Sequence, residues 1–215
     1  MKNKNIEIRN YNVELRADGD SRMIYGLAIP TESRSSLLGD FYEIIRSSAV
    51  NEELIQNNDI KVYLDHDMSQ GTFARSKYGK GSLELEVTQR GLEFRFEAPN
   101  TVFGNALIEG IKRGDYDAIS FGFWVGEDKW EDNGDGTYTR SILSFEGIDE
   151  ISVLSLEAAY PQTEVATRSL ESYKEEKIKQ EKRTQEEKEK KEKEIIDRLD
   201  TIMQQVNDST NKYIV

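Results

Sequence analysis

Residues 171–194 contain almost no side chain that could enter a hydrophobic core. The stretch is nearly all Glu, Lys, Gln and Arg, and Ile178 is almost its only aliphatic residue. Oppositely charged side chains four residues apart can each support a helix by roughly 0.2–0.5 kcal/mol. Such pairs occur at Glu175–Lys179, Glu186–Lys190 and Glu189–Lys193. The stretch predicts a solvated helix or a fluctuating linker, so a folded core must come from the residues before it.

The chain therefore divides into a globular domain, 1–168, and a charged tail, 169–215. Apolar residues return near the end of the tail with a 3-4 spacing, at Ile195, Ile196, Leu199, Ile202, Met203 and Val206. This spacing is typical of a short amphipathic helix or a coiled-coil seam. Two interpretations stay open, a frayed tail with an apolar end and a helix that docks on a partner.

The globular domain shows mostly the two-residue period of β-strands, as in Leu83, Leu85 and Val87. The strands predicted are 5–15, 21–29, 41–45, 61–65, 82–88, 92–96, 118–125, 138–143 and 150–156. Helical spacing appears at 101–112, ended by Gly114, and a helix capped by a serine is predicted near 47–54. The pattern favours a β-barrel or a sheet with a few covering helices, closer to α+β than to doubly wound α/β. We expect an α+β fold with a mainly antiparallel, β-barrel-like core wrapped by a few helices.

Composition excludes several kinds of site. With no cysteine and one histidine, the chain cannot form disulfides, thiolate metal sites or a multi-histidine zinc site. The stretch Glu131-x-Asn133-x-Asp135-Gly136 begins like a calcium loop, but Ile142 stands where the twelfth position needs a glutamate. We therefore expect no metal and no cofactor.

The net charge of −12 lies almost wholly in the globular domain. Residues up to Arg168 include 18 basic and 29 acidic side chains, whereas the tail has 11 and 12. An acidic surface repels phosphate backbones, so we expect no nucleic-acid partner. No apolar run approaches the ~20 residues of a membrane span, and no apolar segment follows the basic N-terminal residues. We expect a cytosolic protein that does not bind membranes.

His66 is the only histidine, so any Ser-His chemistry must use it as the base. The candidate nucleophile is Ser120, because in a strand Ile119, Phe121 and Phe123 share one face and leave Ser120 beside a glycine on the other. A serine hydroxyl reacts when a neighbouring base takes its proton, and neutral imidazole suits this near pH 7. The alternatives are a packed or surface histidine and a serine on a solvated strand face.

A third group normally orients the imidazole and stabilises its charged form. The acidic candidates are Asp65, Asp67, Asp149 and Glu150. If the strand continued through His66, Asp65 and Asp67 would point away from the ring. Glu150 is favoured over Asp149, which would lie on the opposite face of its strand, but both stay open as the acid.

Several short motifs follow one another between about Arg22 and Ala166. They are Tyr25-Gly26-Leu27-Ala28, Phe41-Tyr42-Glu43-Ile44-Ile45, Ser48-Ala49-Val50, Leu64-Asp65-His66-Asp67, Gly71-Thr72-Phe73-Ala74-Arg75, Gly91-Leu92-Glu93-Phe94, Ile119-Ser120-Phe121-Gly122-Phe123, Asp149-Glu150-Ile151-Ser152-Val153-Leu154-Ser155 and Ala158-Ala159-Tyr160-Pro161. Their order and spacing resemble the prohead (capsid maturation) proteases of tailed bacteriophages, of the HK97 type. The chain departs from that pattern at Ser48-Ala49-Val50, where Gly-Ala-Phe is usual, and at Tyr160-Pro161-Gln162, where a proline-alanine run is usual.

The resemblance implies a fold related to the herpesvirus assembly proteases, a distorted β-barrel wrapped by helices. It implies Ser120 as nucleophile, His66 as general base and Glu150 as orienting acid. The expected function is a serine endopeptidase that cleaves the scaffold, the N-terminal segment of the major capsid protein and itself. The expected location is the procapsid, within the bacterial host cytoplasm.

The resemblance also implies that the chain can form a homodimer, because related viral proteases are activated by dimerisation. The tail after Arg168 would serve as a removable segment for packaging or scaffold contact. The alternative function is a non-enzymatic head assembly or scaffold protein with the same core fold, in which Ser120 is structural. Only an enzyme needs Ser120 and His66 within hydrogen-bond reach, so their geometry discriminates between the two.

Overall fold

The computed structural model describes residues 6–12, 14–18, 21–155 and 164–211. The chain forms two compact units, Met1–Thr167 and Arg168–Val215. The Ala158-Ala159-Tyr160-Pro161 motif lies outside the described residues. The assignment of 1–168 as a protease domain and 169–215 as a tail stays a prediction.

The described residues form eleven strands and three α-helices. The strands are β1 Glu7–Asn12, β2 Leu15–Ala17, β3 Met23–Pro30, β4 Phe41–Ile45, β5 Asp59–Leu64, β6 Ala74–Lys77, β7 Lys80–Gly81, β8 Leu83–Thr88, β9 Gly91–Glu97, β10 Ala118–Asp132 and β11 Tyr138–Leu154. The helices are α1 Glu52–Asn57, α2 Val102–Arg113 and α3 Glu164–Asn211. Short 3-10 turns lie at Ser47–Ala49 and Met68–Gln70.

The strands make two sheets. The larger sheet has seven strands in the order β1-β10-β11-β5-β6-β7, with β4 also paired to β11, and the smaller has four in the order β2-β3-β9-β8. Most neighbours are antiparallel, but β4 and β5 both run parallel to β11, one at each end of it. The fold is α+β, as predicted. Both sheets keep open edges, so the described strands form no closed barrel of the kind the sequence suggested.

Three local predictions were wrong. The strand expected at 5–15 is divided between β1 in the larger sheet and β2 in the smaller one. The strands expected at 138–143 and 150–156 belong to one long strand, β11, because shifts in its pairing with β10 let it continue past the change in apolar pattern. The helix near 47–54 does not begin at a serine. Asn51 caps α1 instead, where its side chain accepts a hydrogen bond from the Leu54 amide at 2.9 Å.

Aromatic rings fill the core beneath the centre of β10. Phe121, Phe123 and Phe145 pack with ring centroids 4.9–6.4 Å apart, and Tyr11 of β1 stacks on Phe121 at 6.0 Å. These contacts bury one face of β10. The opposite face, which carries Ser120, is therefore presented away from the rings.

A buried ion cluster links β1, β4 and β11. It consists of Glu7, Arg9, Glu43 and Arg140, each at most 2 % exposed. Arg9 donates to Glu43 Oε1 at 2.7 Å and to Glu7 Oε2 at 2.6 Å, and Arg140 donates to Glu7 Oε2 at 2.8 Å and Glu43 Oε2 at 3.1 Å. Asp128 also accepts from Arg140, at 2.7 Å. Each buried charge thus has partners of opposite sign, which buried ions need.

The charged stretch after Arg168 is helical, since α3 runs without a break from Glu164 to Asn211. Of the apolar residues in the tail, Ile195, Ile196, Leu199 and Met203 are each more than half exposed. The side chains of Ile202 and Val206 lie outside the described residues, so the amphipathic seam stays a prediction. No helix among the described residues has the length and hydropathy to span a membrane.

Candidate active site

Ser120 lies on β10 between two paired strands. It stands opposite Asn10 on β1 and opposite Ser152 on β11. The residue is fully buried, and its Oγ has no hydrogen-bond partner among the described residues. A buried hydroxyl without a partner is uncommon, because such a group normally costs about 1–3 kcal/mol. The environment of Ser120 is therefore unlike that of an ordinary structural serine.

Glu150 stands on β11 opposite Gly122, two residues along β10 from Ser120. It is 8 % exposed, and its Oε2 accepts a hydrogen bond from the Ser152 hydroxyl at 3.4 Å. Residues paired across neighbouring strands share a face of the sheet, as do residues two apart on one strand. Ser120, Gly122, Glu150 and Ser152 therefore form one small polar patch on the sheet.

His66 belongs to a tight turn after β5, and so does Asp65, which the sequence analysis placed at the end of the strand. β5 ends at Leu64, and both Asp65 and His66 have left-handed backbones, with φ of 52° and 60°. The Asp65 carboxylate fixes the turn by accepting hydrogen bonds from the Ser155 amide at 2.8 Å and from the Ser155 hydroxyl at 2.5 Å. Left-handed conformations of non-glycine residues are strained and tend to occur at functional sites.

The turn brings the imidazole of His66 onto Glu150. The Nδ1 atom of His66 is hydrogen-bonded to Glu150 Oε1, across 84 positions of sequence. β5 and β11 run parallel and pair Leu64 with Val153, which brings the end of β5 close to Glu150. A carboxylate that holds Nδ1 leaves Nε2 as the ring nitrogen that can exchange a proton with a substrate or nucleophile.

The other acidic candidates are occupied elsewhere or displaced. Asp65 is bound to Ser155, and Asp67 accepts from the Ser69 amide at 2.8 Å and the Gln70 side chain at 3.1 Å. Hydrogen bonds from Ser69 and Gln70 hold the pKa of the Asp67 carboxyl below its usual value. Asp149 is the extra residue of a β-bulge, because Gly122 pairs with Glu150 and Phe123 pairs with Ile148. Of the four acids, Glu150 is the one bonded to His66.

The structure does not join Ser120 to His66. The Ser120 Oγ has no partner among the described residues, so the imidazole and the hydroxyl share no hydrogen bond in this state. In apo structures the bonds used in catalysis are often long or poorly aligned and tighten only with substrate. Of the three predicted site residues, the structure therefore bonds His66 to Glu150 and places Ser120 on the same sheet face as Glu150.

Two neighbours of Ser120 were missed by the sequence analysis, namely Asn10 and Ser152. Both are register partners of Ser120 on adjacent strands. Strand order and register are long-range properties that a single sequence does not display. The only available signal for Ser152 was its position two residues after Glu150 in the same motif, and for Asn10 there was none.

Gly122 leaves the space that the Glu150 side chain fills. A Cβ at position 122 would lie 3.4 Å from Glu150 Cγ and 2.9 Å from Ile6 Cδ1. We expect Gly122→Val to lower the free energy of unfolding by about 1–3 kcal/mol through overpacking, although valine favours strands. Urea denaturation checks this. Gly122→Ala is the control, since its single methyl requires only a shift of the flexible Ile6 end. If Gly122→Val were as stable as the wild type or more stable, the predicted overpacking at position 122 would be wrong.

One comparison with known proteins, the one against family models, identifies a family. The family model described as caudovirus prohead serine protease matches residues 9–176, well over half of the chain. A search of solved structures found two matching chains. One is titled "Structure of the bacteriophage T4 capsid assembly protease, gp21", with 8 % identity, a TM-score of 0.43, and coverage of 69 % of this chain and 98 % of that one. Among curated proteins nothing matches.

Proposed function

The chain belongs to the caudovirus prohead serine protease family, and on that premise we propose that it is the serine endopeptidase of procapsid maturation. In this proposal Ser120 is the nucleophile, His66 the general base and Glu150 the acid that orients the imidazole. The observation that carries the assignment is the hydrogen bond between His66 Nδ1 and Glu150 Oε1, because Glu150 shares a sheet face with the buried, unpartnered Ser120.

The chemistry follows the usual course of acyl transfer. Ser120 Oγ attacks the scissile carbonyl carbon while His66 Nε2 takes the hydroxyl proton. The tetrahedral intermediate collapses, the C–N bond breaks, and His66 returns the proton to the leaving amine. A water molecule then attacks the acyl-enzyme by the same route and releases the acid and free Ser120. Glu150 holds His66 Nδ1 and stabilises the imidazolium that forms twice in the cycle.

The proposed substrates are the scaffold, the N-terminal segment of the major capsid protein and the chain itself. The proposed place of action is the procapsid in the host cytoplasm, with a homodimer as the assembled form. The second unit begins at Arg168, and α3 is highly charged over most of that unit, which suits a removable element for packaging or scaffold contact. These details, and the likeness to herpesvirus assembly proteases, extend the family assignment and stay predictions. Full-length and tail-deleted protein packaged equally well would contradict the role given to the tail.

A second candidate function is a non-enzymatic head assembly protein with the same core. The observation that favours it is the lack of a hydrogen bond between Ser120 and His66 in this state. In such a protein the His66–Glu150 pair would only fix the turn after β5. The two functions differ in whether Ser120 reacts with an electrophile.

A fluorophosphonate probe tests this directly. Ser120 Oγ would form a bond to phosphorus, fluoride would leave, and the hydroxyl proton would pass to His66. We expect one label per chain in intact-mass spectra, on the peptide that contains Ser120, with Ser152 unmodified. His66→Gln should slow labelling by about 10²-fold or more, because general-base catalysis typically contributes that much. No label on an otherwise folded protein, or a label on another serine, would contradict the proposed nucleophile.

A further inference from the structure

Two buried polar atoms without partners lie opposite each other on β1 and β10. They are Asn10 Oδ1 and Ser120 Oγ, and neither has a hydrogen-bond partner among the described residues. Asn10 and Ser120 are direct register partners, so their side chains share a face with Cβ atoms roughly 4.5–5.5 Å apart. More than about nine in ten buried polar groups are satisfied in native proteins. Two exceptions side by side indicate a place where a polar ligand completes the bonding.

The position of Asn10 is fixed by the other face of β1. Glu7 and Arg9 point into the buried ion cluster, and Arg9 also lies over the Phe123 ring at 5.5 Å. A shift of β1 by one residue would take both charges out of the cluster and exchange the faces of the strand. The ion cluster therefore keeps Asn10 opposite Ser120.

An acyl-transfer site needs donors for the oxygen that becomes negative when the serine attacks. Two backbone amides that could take this role, those of Arg75 and Phe121, already have hydrogen-bond partners. The Arg75 amide donates to the Ser82 hydroxyl at 3.2 Å, and Phe121 lies in β10 between two paired strands, where the ladders use the amides. The side chain of Asn10 carries two N–H donors, and a half-turn of its terminal amide exchanges oxygen for nitrogen.

We propose that Asn10 is a further catalytic residue, whose carboxamide donates a hydrogen bond to the oxyanion formed on the substrate when Ser120 attacks. The inference rests on the proposed protease function and adds one contact to it. The interaction is stronger in the transition state than with the bound substrate, so it acts on the rate of the chemical step more than on affinity.

Saturation kinetics of the fluorophosphonate reaction at Ser120 tests the proposal, because the phosphoryl oxygen gains charge as the serine adds. We expect Asn10→Ala and Asn10→Asp to lower the maximal labelling rate constant by about 10²-fold, with the half-saturating probe concentration nearly unchanged. Asn10→Asp keeps the shape of the side chain and removes the donors, which guards against loss of packing. Asn57→Ala, at an exposed helical asparagine, is the control and should label at the wild-type rate.

The outcomes separate this inference from the function on which it rests. Wild-type protein that is never labelled at Ser120 would overturn both. Labelling of the wild type with an unchanged maximal rate in Asn10→Asp would overturn the inference alone. A rise in the half-saturating concentration without a fall in the maximal rate would also overturn it, because that pattern belongs to ground-state binding. An unfolded Asn10→Ala would leave the decision to Asn10→Asp, whose thermal unfolding is measured alongside.

Discussion

Ser120→Ala is expected to abolish self-cleavage and cleavage of co-expressed scaffold and capsid protein. Without the hydroxyl no acyl-enzyme forms, and loss of a serine nucleophile costs on the order of 10⁶-fold in turnover. Intact mass followed over time, for the variant and the wild type in parallel, gives the result directly. We expect the wild type to shorten in the tail region while Ser120→Ala keeps its full mass.

The same substitution should not destabilise the fold. Ser120 Oγ is buried and unpartnered. Replacing the hydroxyl group with hydrogen therefore removes an unsatisfied polar group and leaves packing nearly unchanged. Lost activity with equal or higher thermal stability is the combination expected when a residue is kept for chemistry at a cost in stability. Ser76, a buried strand serine on β6, provides the control, and Ser76→Ala should keep cleavage.

Two results would contradict the assignment. Equal shortening of the wild type and Ser120→Ala would mean that a host protease trims the tail. A wild type that stays intact with scaffold and capsid protein present would favour the assembly-protein function.

Much of the candidate site was visible in the sequence because it rests on local features. Alternation along a strand placed Ser120 and Gly122 on one face, and the single histidine left no choice of base. The preference for Glu150 over Asp149 came from the same alternation. In the structure that difference arises from a bulge, which a period-two pattern does not reveal. The left-handed turn at His66 was not foreseen, because the apolar run before it looked like a continuing strand.

The fold, too, was predictable from the sequence only in part. Strand positions followed from apolar periodicity, and α2 from helical spacing with Gly114 as its left-handed end. Sheet order did not follow, because the parallel pairing of β4 and β5 with β11 joins segments that are distant in the sequence, as in Phe41 with Tyr138 and Lys61 with Glu150. The ion cluster was also missed. Glu7 and Arg9 alternate with apolar residues in β1, a pattern that predicts a solvated face, whereas Glu43 and Arg140 from distant strands bury them.

That cluster gives the second large expected effect. Arg140 is 2 % exposed and donates to Glu7, Glu43 and Asp128. Arg140→Met keeps much of the side-chain volume but leaves the buried carboxylates with Arg9 as their remaining cluster cation. Breaking a buried pair by removing one partner typically costs about 3–5 kcal/mol. We expect the free energy of unfolding, from urea denaturation at pH 7, to fall by about that amount.

The destabilisation caused by Arg140→Met should depend on pH in a defined direction. Burial raises the pKa of the Glu7 carboxyl, but hydrogen bonds and charges from Arg140 and Arg9 outweigh burial and hold that pKa below its usual 4.5. A carboxyl with a lowered pKa stabilises the fold above its unfolded-state pKa, and this stabilisation is lost as the pH falls through the folded-state value. The difference between wild type and Arg140→Met should therefore be largest near neutral pH and narrow below about 4.5.

A matched control comes from the surface of the smaller sheet. Arg95 pairs with Glu84 at 2.5 Å, but their side chains are 66 % and 60 % exposed. Exposed pairs contribute about 0–1 kcal/mol, so Arg95→Met should change stability little. Arg140→Lys keeps the charge but lacks the planar guanidinium group, so its loss in free energy of unfolding should lie between those of Arg95→Met and Arg140→Met. This variant preserves the test if Arg140→Met does not fold. If Arg140→Met cost no more than Arg95→Met, the cluster would not be what holds β1 in register, and the position of Asn10 beside Ser120 would need another cause.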